Sequence, residues 1–193
     1  MAGEQQIRMT AEQFIAWEQR QPDKHEFHDG EVFAMAGGSP RHNKIAAMIV
    51  STLTAVFRDW PCDALGSDQM IKAGASFVYP DVSVVCGDAQ YERVDQGLLL
   101  LNPSAIFEVL SSSTEGYDRG QKSKLYRSRP SLRDYLLVSQ REACIEHHQL
   151  RDGVWVLVTD DARPGNVVSL ADGAQLHVDA VYQDVWKFPD DTL

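Results

Sequence analysis

Two carboxylates interrupt stretches that otherwise call for burial. Glu108 is the one polar residue of Ala105-Ile106-Phe107-Glu108-Val109-Leu110, and Asp81 follows a proline and opens the strand-like run Val82-Ser83-Val84-Val85. With the two-residue period of a strand, Glu108 shares its face with Ile106 and Leu110, while Phe107 and Val109 take the other. A buried ionised carboxylate needs a cation or several donors, or it keeps its proton at a large energetic cost. Taken singly, each reads as a structural salt bridge. As a pair on neighbouring strands, they could converge on one hard divalent cation, Mg²⁺ or Mn²⁺, which prefers oxygen ligands. Lys122 and Lys124 follow on a helix introduced by the hydroxyl run Ser111–Thr114. Folded back over the sheet, that helix would bring an ammonium to the pair, to position a water or to stabilise charge developing on a phosphate. The two lysines stand about 200° apart on a helix, so only one of them can face the carboxylates.

Other chemistry-bearing residues have structural readings of similar weight. His42 opens a helix and is either a site-lining residue or a solvated helix start. Glu31 is a third acid near the metal or, more simply, a cross-strand partner for an Arg or Lys. His25 and His28, like His147 and His148, are separated by odd offsets that put them on opposite faces of a strand, which argues against a shared metal. Asp118 and Tyr126 are candidates for the site's surroundings or for the helix surface.

Several elements must position these groups. Thr10, with Gln13 three residues later, starts a first helix over Met9–Arg20, ended at Gln21-Pro22-Asp23. Asp29-Gly30 makes the two-residue turn of a hairpin from Glu26–His28 to Glu31–Met35. A second helix, about His42–Phe57, carries Ile45, Met48, Ile49, Leu53 and Val56 on one stripe. Leu65–Ala73 and Phe77–Cys86 read as a strand pair around Gly74. Ala105–Leu110 and Asp134–Ser139 read as buried strands. Ser112 and Glu115 offer a capping box for a helix within Tyr117–Ser128, and Asp152-Gly153 turns a second hairpin. One short helix is expected near Asp179–Val185. The pattern is α/β or α+β, a central mixed sheet flanked by helices with an N-terminal helix–hairpin and a C-terminal β-hairpin region, in one domain over 1–193.

The chain has 193 residues, 44% of them hydrophobic and 24% charged, enough for a real core. No run approaches the roughly 18 apolar residues of a membrane helix, and MAGEQQIRMT lacks a signal-peptide core, so a cytoplasmic protein is expected. Three widely spaced cysteines, Cys62, Cys86 and Cys144, argue against a disulfide scaffold or a CxxC zinc site and fit a reducing compartment. A net charge of −10 is unpromising for nucleic acid, yet residues 119–133 hold six bases and no acid. A solvated helix face is the plain reading of that segment, and a polyanion-binding patch is the alternative.

The ordered blocks Gly-Glu-Val-Phe-Ala-Met-Ala-Gly (30–37), Ser-Pro-Arg-His-Asn (39–43), Gly-Ser-Asp (66–68), Tyr-Pro-Asp-Val-Ser-Val-Val-Cys (79–86), Phe-Glu-Val-Leu-Ser-Ser-Ser-Thr (107–114), Tyr-Asp-Arg-Gly-Gln-Lys (117–122) and Leu-Arg-Asp-Tyr-Leu-Leu-Val (132–138) resemble the Uma-two (Uma2, DUF820) family, over about 9–185. The resemblance implies a restriction-endonuclease-like fold of the PD-(D/E)xK type and a Mg²⁺-dependent endonuclease, Mn²⁺ substituting, acting on nucleic acid and foremost DNA. It implies Asp81 and Glu108 as metal ligands. The residue two after Glu108 is Leu110 rather than lysine, and Lys122 on the following helix fits the displaced catalytic lysine. His42 falls in the family's Arg-His-Asn block. On this reading Arg119, Lys124 and Arg127 track the phosphate backbone, and the apolar tail Val181, Tyr182, Val185, Trp186 and Phe188 could support a homodimer. A non-catalytic oligomeric or nucleic-acid-binding module that keeps the nuclease fold is the alternative.

Overall fold

Thr10 caps the first helix, and the reciprocal box with Gln13 is complete, each side chain meeting the other's backbone N–H. The computed structural model describes residues 7–35, 37–94 and 97–191, without the side chains of 160 and 161. Helix α1 (Ala11–Glu18) leads into the hairpin β1 (His25–His28) and β2 (Glu31–Ala34). Asp29 and Gly30 sit at positive φ in its turn, as a two-residue hairpin loop demands. Ser39 then caps α2 (Pro40–Val56), whose proline stands in the first turn, where no N–H is missed.

The central strands depart from the expected pair. The first divides into β3 (Cys62–Gly66) and β4 (Ile71–Ala73), the second into β5 (Ser76–Val78) and β6 (Val82–Cys86). The breaks fall at Ser67-Asp68 and at Pro80-Asp81, where turn residues outweigh the flanking apolar runs. The pieces join different sheets: β4 pairs β5, and β3 pairs β6. A hairpin not anticipated from the sequence follows, β7 (Tyr91–Val94) and β8 (Gly97–Leu100). Next come β9 (Ala105–Leu110), α3 (Glu115–Tyr117), a π-helical turn (Asp118–Lys122), α4 (Ser123–Arg127), β10 (Asp134–Ser139), β11 (Ile145–Arg151) and β12 (Val154–Ala162). The tail holds β13 (Val167–Ser169), β14 (Gln175–His177) and α5 (Val178–Val181). Ser112 does not cap α3: its N–H and hydroxyl both donate to Asp191, and Ser111 Oγ takes the Thr114 N–H instead.

The result is a mixed α+β fold with two six-stranded mixed sheets, ordered β2-β1-β5-β4-β8-β7 and β12-β11-β10-β9-β6-β3. Helix α2 and the tail cover one face of the second sheet, with Ile45, Ile49 and Leu53 against Val82, Phe107 and Leu136. Tyr126 and Leu132 cover the opposite face with Ile106, Tyr135 and Leu137, and Ile71, Val78 and Leu100 of the first sheet join them. Helix α1 packs on the first sheet through Phe14, Phe27 and Phe77.

Val181, Tyr182 and Val185 are buried in the chain's own core, so the tail's apolar residues are largely committed internally. Cys62 and Cys86, whose wide spacing argued against a disulfide scaffold, are joined by a disulfide. Their 24-residue separation hides the fact that the β3–β6 register sets them opposite one another. No helix among the described residues is long and apolar enough to cross a membrane.

Candidate active site

Asp81 lies in the three-residue link between β5 and β6, and Glu108 in the middle of β9. The β6–β9 pairing begins at Val82↔Phe107, so the two carboxylates fall side by side where the ladder ends. Asp81 Oδ2 takes the Val109 N–H at 2.7 Å, replacing the strand partner that β9 lacks there. The Asp81 N–H in turn faces Glu108 Oε2 at 3.4 Å. As expected, Glu108 shares the face of Ile106 and Leu110, the face that the helical segment 115–127 covers.

Of the two lysines, Lys122 turns inward and Lys124 outward. Lys122 is 5% exposed, with Nζ 3.0 Å from Glu108 Oε1, 3.3 Å from Glu26 Oε1, 3.9 Å from Asp118 Oδ1 and 2.9 Å from the Tyr79 carbonyl. The π-helical turn sets this geometry. An extra residue in the turn offsets the helix register at the site, and Tyr135 Oη donates to the Asp118 carbonyl at 2.8 Å. Lys124 is exposed to solvent.

Glu26 joins the cluster although the sequence reading passed over it. It accepts the Tyr79 N–H at 3.0 Å and the Tyr117 hydroxyl at 2.7 Å, and His28 stands 3.7 Å away. In a two-layer hairpin, alternation opposite Phe27 would leave Glu26 in water. The third layer, made by the segment from Tyr117 to Lys122, buries it, and no local pattern announces that layer. His42 does line the site, with Nε2 3.2 Å from Asp81 Oδ2. Glu31 does not join it, being engaged by Arg8 as a charge partner.

The electrostatics are those of a carboxylate excess. Four acids (Glu26, Asp81, Glu108 and Asp118) surround one ammonium, with two imidazoles, His42 beside Asp81 and His28 beside Glu26. Burial pushes the Glu108 carboxyl well up, Lys122 pulls it back, and Asp118, Asp81 and Glu26 push it further. Burial likewise lifts Asp118 to about 6 against the pull of Lys122. Glu26 is lowered to about 2: burial opposes ionisation, but Lys122, His28, Tyr117 and the Tyr79 N–H outweigh it. Burial disfavours the Lys122 cation, but the surrounding carboxylates hold its pKa well above the lysine norm. His42 is also raised, since Asp81 overcomes the effect of burial. His42 Nδ1 is buried without a hydrogen bond, and Glu108 Oε1, also buried, has the Lys122 ammonium at 3.0 Å as its ion-pair partner. Carboxylates in excess of cations suit a divalent cation between Asp81 and Glu108.

The basic stretch is mostly spent internally. Arg119 pairs with Glu115 at 2.9 Å and Glu146 at 2.5 Å, and Arg127 lies over the rings of Tyr135 and Trp155. Arg129 donates to the Leu101 carbonyl and Arg133 to those of Pro130 and Leu132.

The family model described as "Putative restriction endonuclease", Uma2, matches residues 11–180. The chain belongs to the Uma2 family. A Synechocystis relative, the uncharacterized protein slr1290, is 35% identical over 179 residues, covering 91% of this chain and 92% of its own. A second from the same organism, sll1609, is 34% identical over 152 residues, covering 77% and 85%. Among solved structures, an Anabaena variabilis protein described as "a putative nuclease belonging to DUF820" superposes with a TM-score of 0.71. It covers 92% of this chain and 99% of its own at 16% identity, a likeness of nuclease-like fold. The expected family and fold class therefore hold for this Uma2 chain.

Proposed function

We propose that this Uma2 protein is a Mg²⁺- or Mn²⁺-dependent endonuclease that hydrolyses phosphodiester bonds in DNA. The observation that carries the reading is the contact of Lys122 Nζ with Glu108, beside Asp81, in a cluster short of positive charge. Asp81 and Glu108 would hold the cation, which supplies an activated water and neutralises charge on the scissile phosphate. Lys122 is held by acceptors on β1, on the β5–β6 link and on β9, so its ammonium is oriented before substrate arrives. There it would orient the attacking water or stabilise the transition state's added charge. His42 would fix the Asp81 carboxylate through its 3.2 Å contact. Lys124 is the solvent-facing base best placed to meet a phosphate backbone, with Arg119 able to exchange its carboxylate partners for one.

Nicking of supercoiled plasmid with Mg²⁺ or Mn²⁺ tests this, with Glu108→Ala made in parallel. Metal-dependent nicking should fall by at least about a hundredfold in the variant. The burial of Lys122 among carboxylates favours a second reading, a non-catalytic module in which the cluster is a structural ion-pair network. Equal inertness of two folded proteins, together with no calorimetric Mn²⁺ binding, would establish that second reading instead.

A further inference from the structure

Cys62 and Cys86 stand opposite each other in the β3–β6 ladder, with Cα atoms 4.0 Å apart. Asp172, in the turn between β13 and β14, is set against them, its Oδ2 3.3 Å from Cys86 Sγ and 3.9 Å from Cys62 Sγ. Its other oxygen accepts the Ala174 N–H at 2.9 Å, which fixes the carboxylate's direction. In the disulfide neither sulfur carries a proton, so an anionic oxygen faces two lone-pair-bearing atoms with no donor between them. Ligand atoms of these three residues all lie within 4.8 Å of one another, the one such trio of His, Cys, Asp or Glu found among the described residues. Cys62 is buried, Cys86 half-buried and Asp172 exposed, so the open side of the trio faces solvent.

We infer that, once the Cys62–Cys86 disulfide is reduced, Cys62, Cys86 and Asp172 form a site for a thiophilic divalent cation, Zn²⁺, with water in the fourth position. A dithiol reductant supplies the two electrons and two protons that open the S–S bond, its own sulfurs closing into a disulfide. Zn²⁺ then displaces both thiol protons to solvent and binds the two thiolates and the carboxylate, a ligand set that suits a borderline-soft tetrahedral ion. The cluster around Glu108 offers oxygen and imidazole without sulfur, so the two places select different metals. This site is independent of the nuclease reading.

Titration of the reduced, reductant-free protein with Co²⁺ tests the site. The expected result is a cobalt–thiolate charge-transfer band with tetrahedral ligand-field bands in the visible, saturating at one equivalent and bleached by Zn²⁺. The oxidised protein should show neither. Asp172→Asn should weaken binding by about tenfold or more, and Cys86→Ser should strip most of the charge-transfer intensity, while Glu108→Gln leaves it intact. Zn²⁺ should also shield two of the three thiols of the reduced chain from alkylation. Absence of a thiolate band in reduced wild type overturns the proposal, as does a band that persists when both Cys62 and Cys86 are serine. Comparing oxidised with reduced wild type needs no substitution, so a variant that fails to fold does not obscure the answer.

Discussion

Lys122 has three close acceptors from three separate parts of the chain, and the two carboxylates among them, Glu26 and Glu108, can be removed by substitution. Glu26 is the one whose loss reads out through pH. Its folded pKa of about 2 lies below the ordinary 4.5, so its contribution is fully present above about 4.5 and is lost as pH falls through 2. For so buried a group that contribution is roughly 3 kcal/mol. Urea midpoints measured between pH 5 and 2 should fall less steeply in Glu26→Gln than in wild type. Asp118 runs the other way: raised to about 6, it stabilises the fold below about 3.8 and loses that contribution as pH rises through 6. Gly38 guards a different contact. A Cβ built there meets His42 Nδ1 at 2.6 Å, so in Gly38→Ala the imidazole or the backbone before α2 must shift, which disturbs the contact of His42 with Asp81. If His42 steadies Asp81, plasmid nicking by that variant should fall by about tenfold while its thermal midpoint moves little. Asp81, Glu108 and His42 could be found from the sequence because strand alternation and a helix start frame them. Glu26 could not, since its burial depends on a layer arriving about ninety residues later.

At the scale of elements, the segment from Glu115 to Arg127 decides the site. A regular helix satisfies the sequence pattern there, and nothing in Asp-Arg-Gly-Gln-Lys marks the π-helical turn that the structure contains. Its cause is tertiary: the Tyr135 hydroxyl takes the Asp118 carbonyl, and Lys122 is drawn to the carboxylates. Deleting Gly120 would restore regular α-helical register and rotate Lys122 by about 100°. Nicking should then be lost with the far-ultraviolet helical signal retained. Gly120→Ala, with open space around the added methyl, should remain active. The strands show the same division between local and tertiary signal. Ala105–Leu110 and Asp134–Ser139 emerge with the expected bounds because both faces are apolar. Leu65–Ala73 and Phe77–Cys86 divide between two sheets, a partition that depends on which partner each half meets.

For the molecule as a whole, α2 and the second sheet form the larger core, and the Glu108–Lys122 cluster lies on the other side of that sheet, with His42 at the start of α2 meeting Asp81 where the ladder ends. Stability and chemistry can therefore be perturbed separately. Ile49→Ala, fully buried under α2, should cost about 2–5 kcal/mol in urea denaturation. Nicking per folded molecule should stay near the wild-type value at low temperature. Charge at this scale misled in a particular way. The run of bases from 119 to 133 looks like a surface patch in sequence, yet Arg119, Lys122 and Arg127 tie helix to sheet and Arg129 holds a loop carbonyl, and only geometry reveals which cations are already spent.

The link Tyr79-Pro80-Asp81 carries a further consequence. Immediately before it, Val78 is in register with Ile71 in one sheet, and immediately after it, Val82 is in register with Phe107 in the other. One inserted or deleted residue would have to be absorbed by two ladders at once, while the Tyr79 carbonyl lost its hold on Lys122. Over evolutionary time this makes the link a fixed ruler: length variation among descendants should gather at exposed hairpin tips such as Asp152-Gly153, and lineages should keep these three positions gap-free even where the side chain of residue 79 drifts.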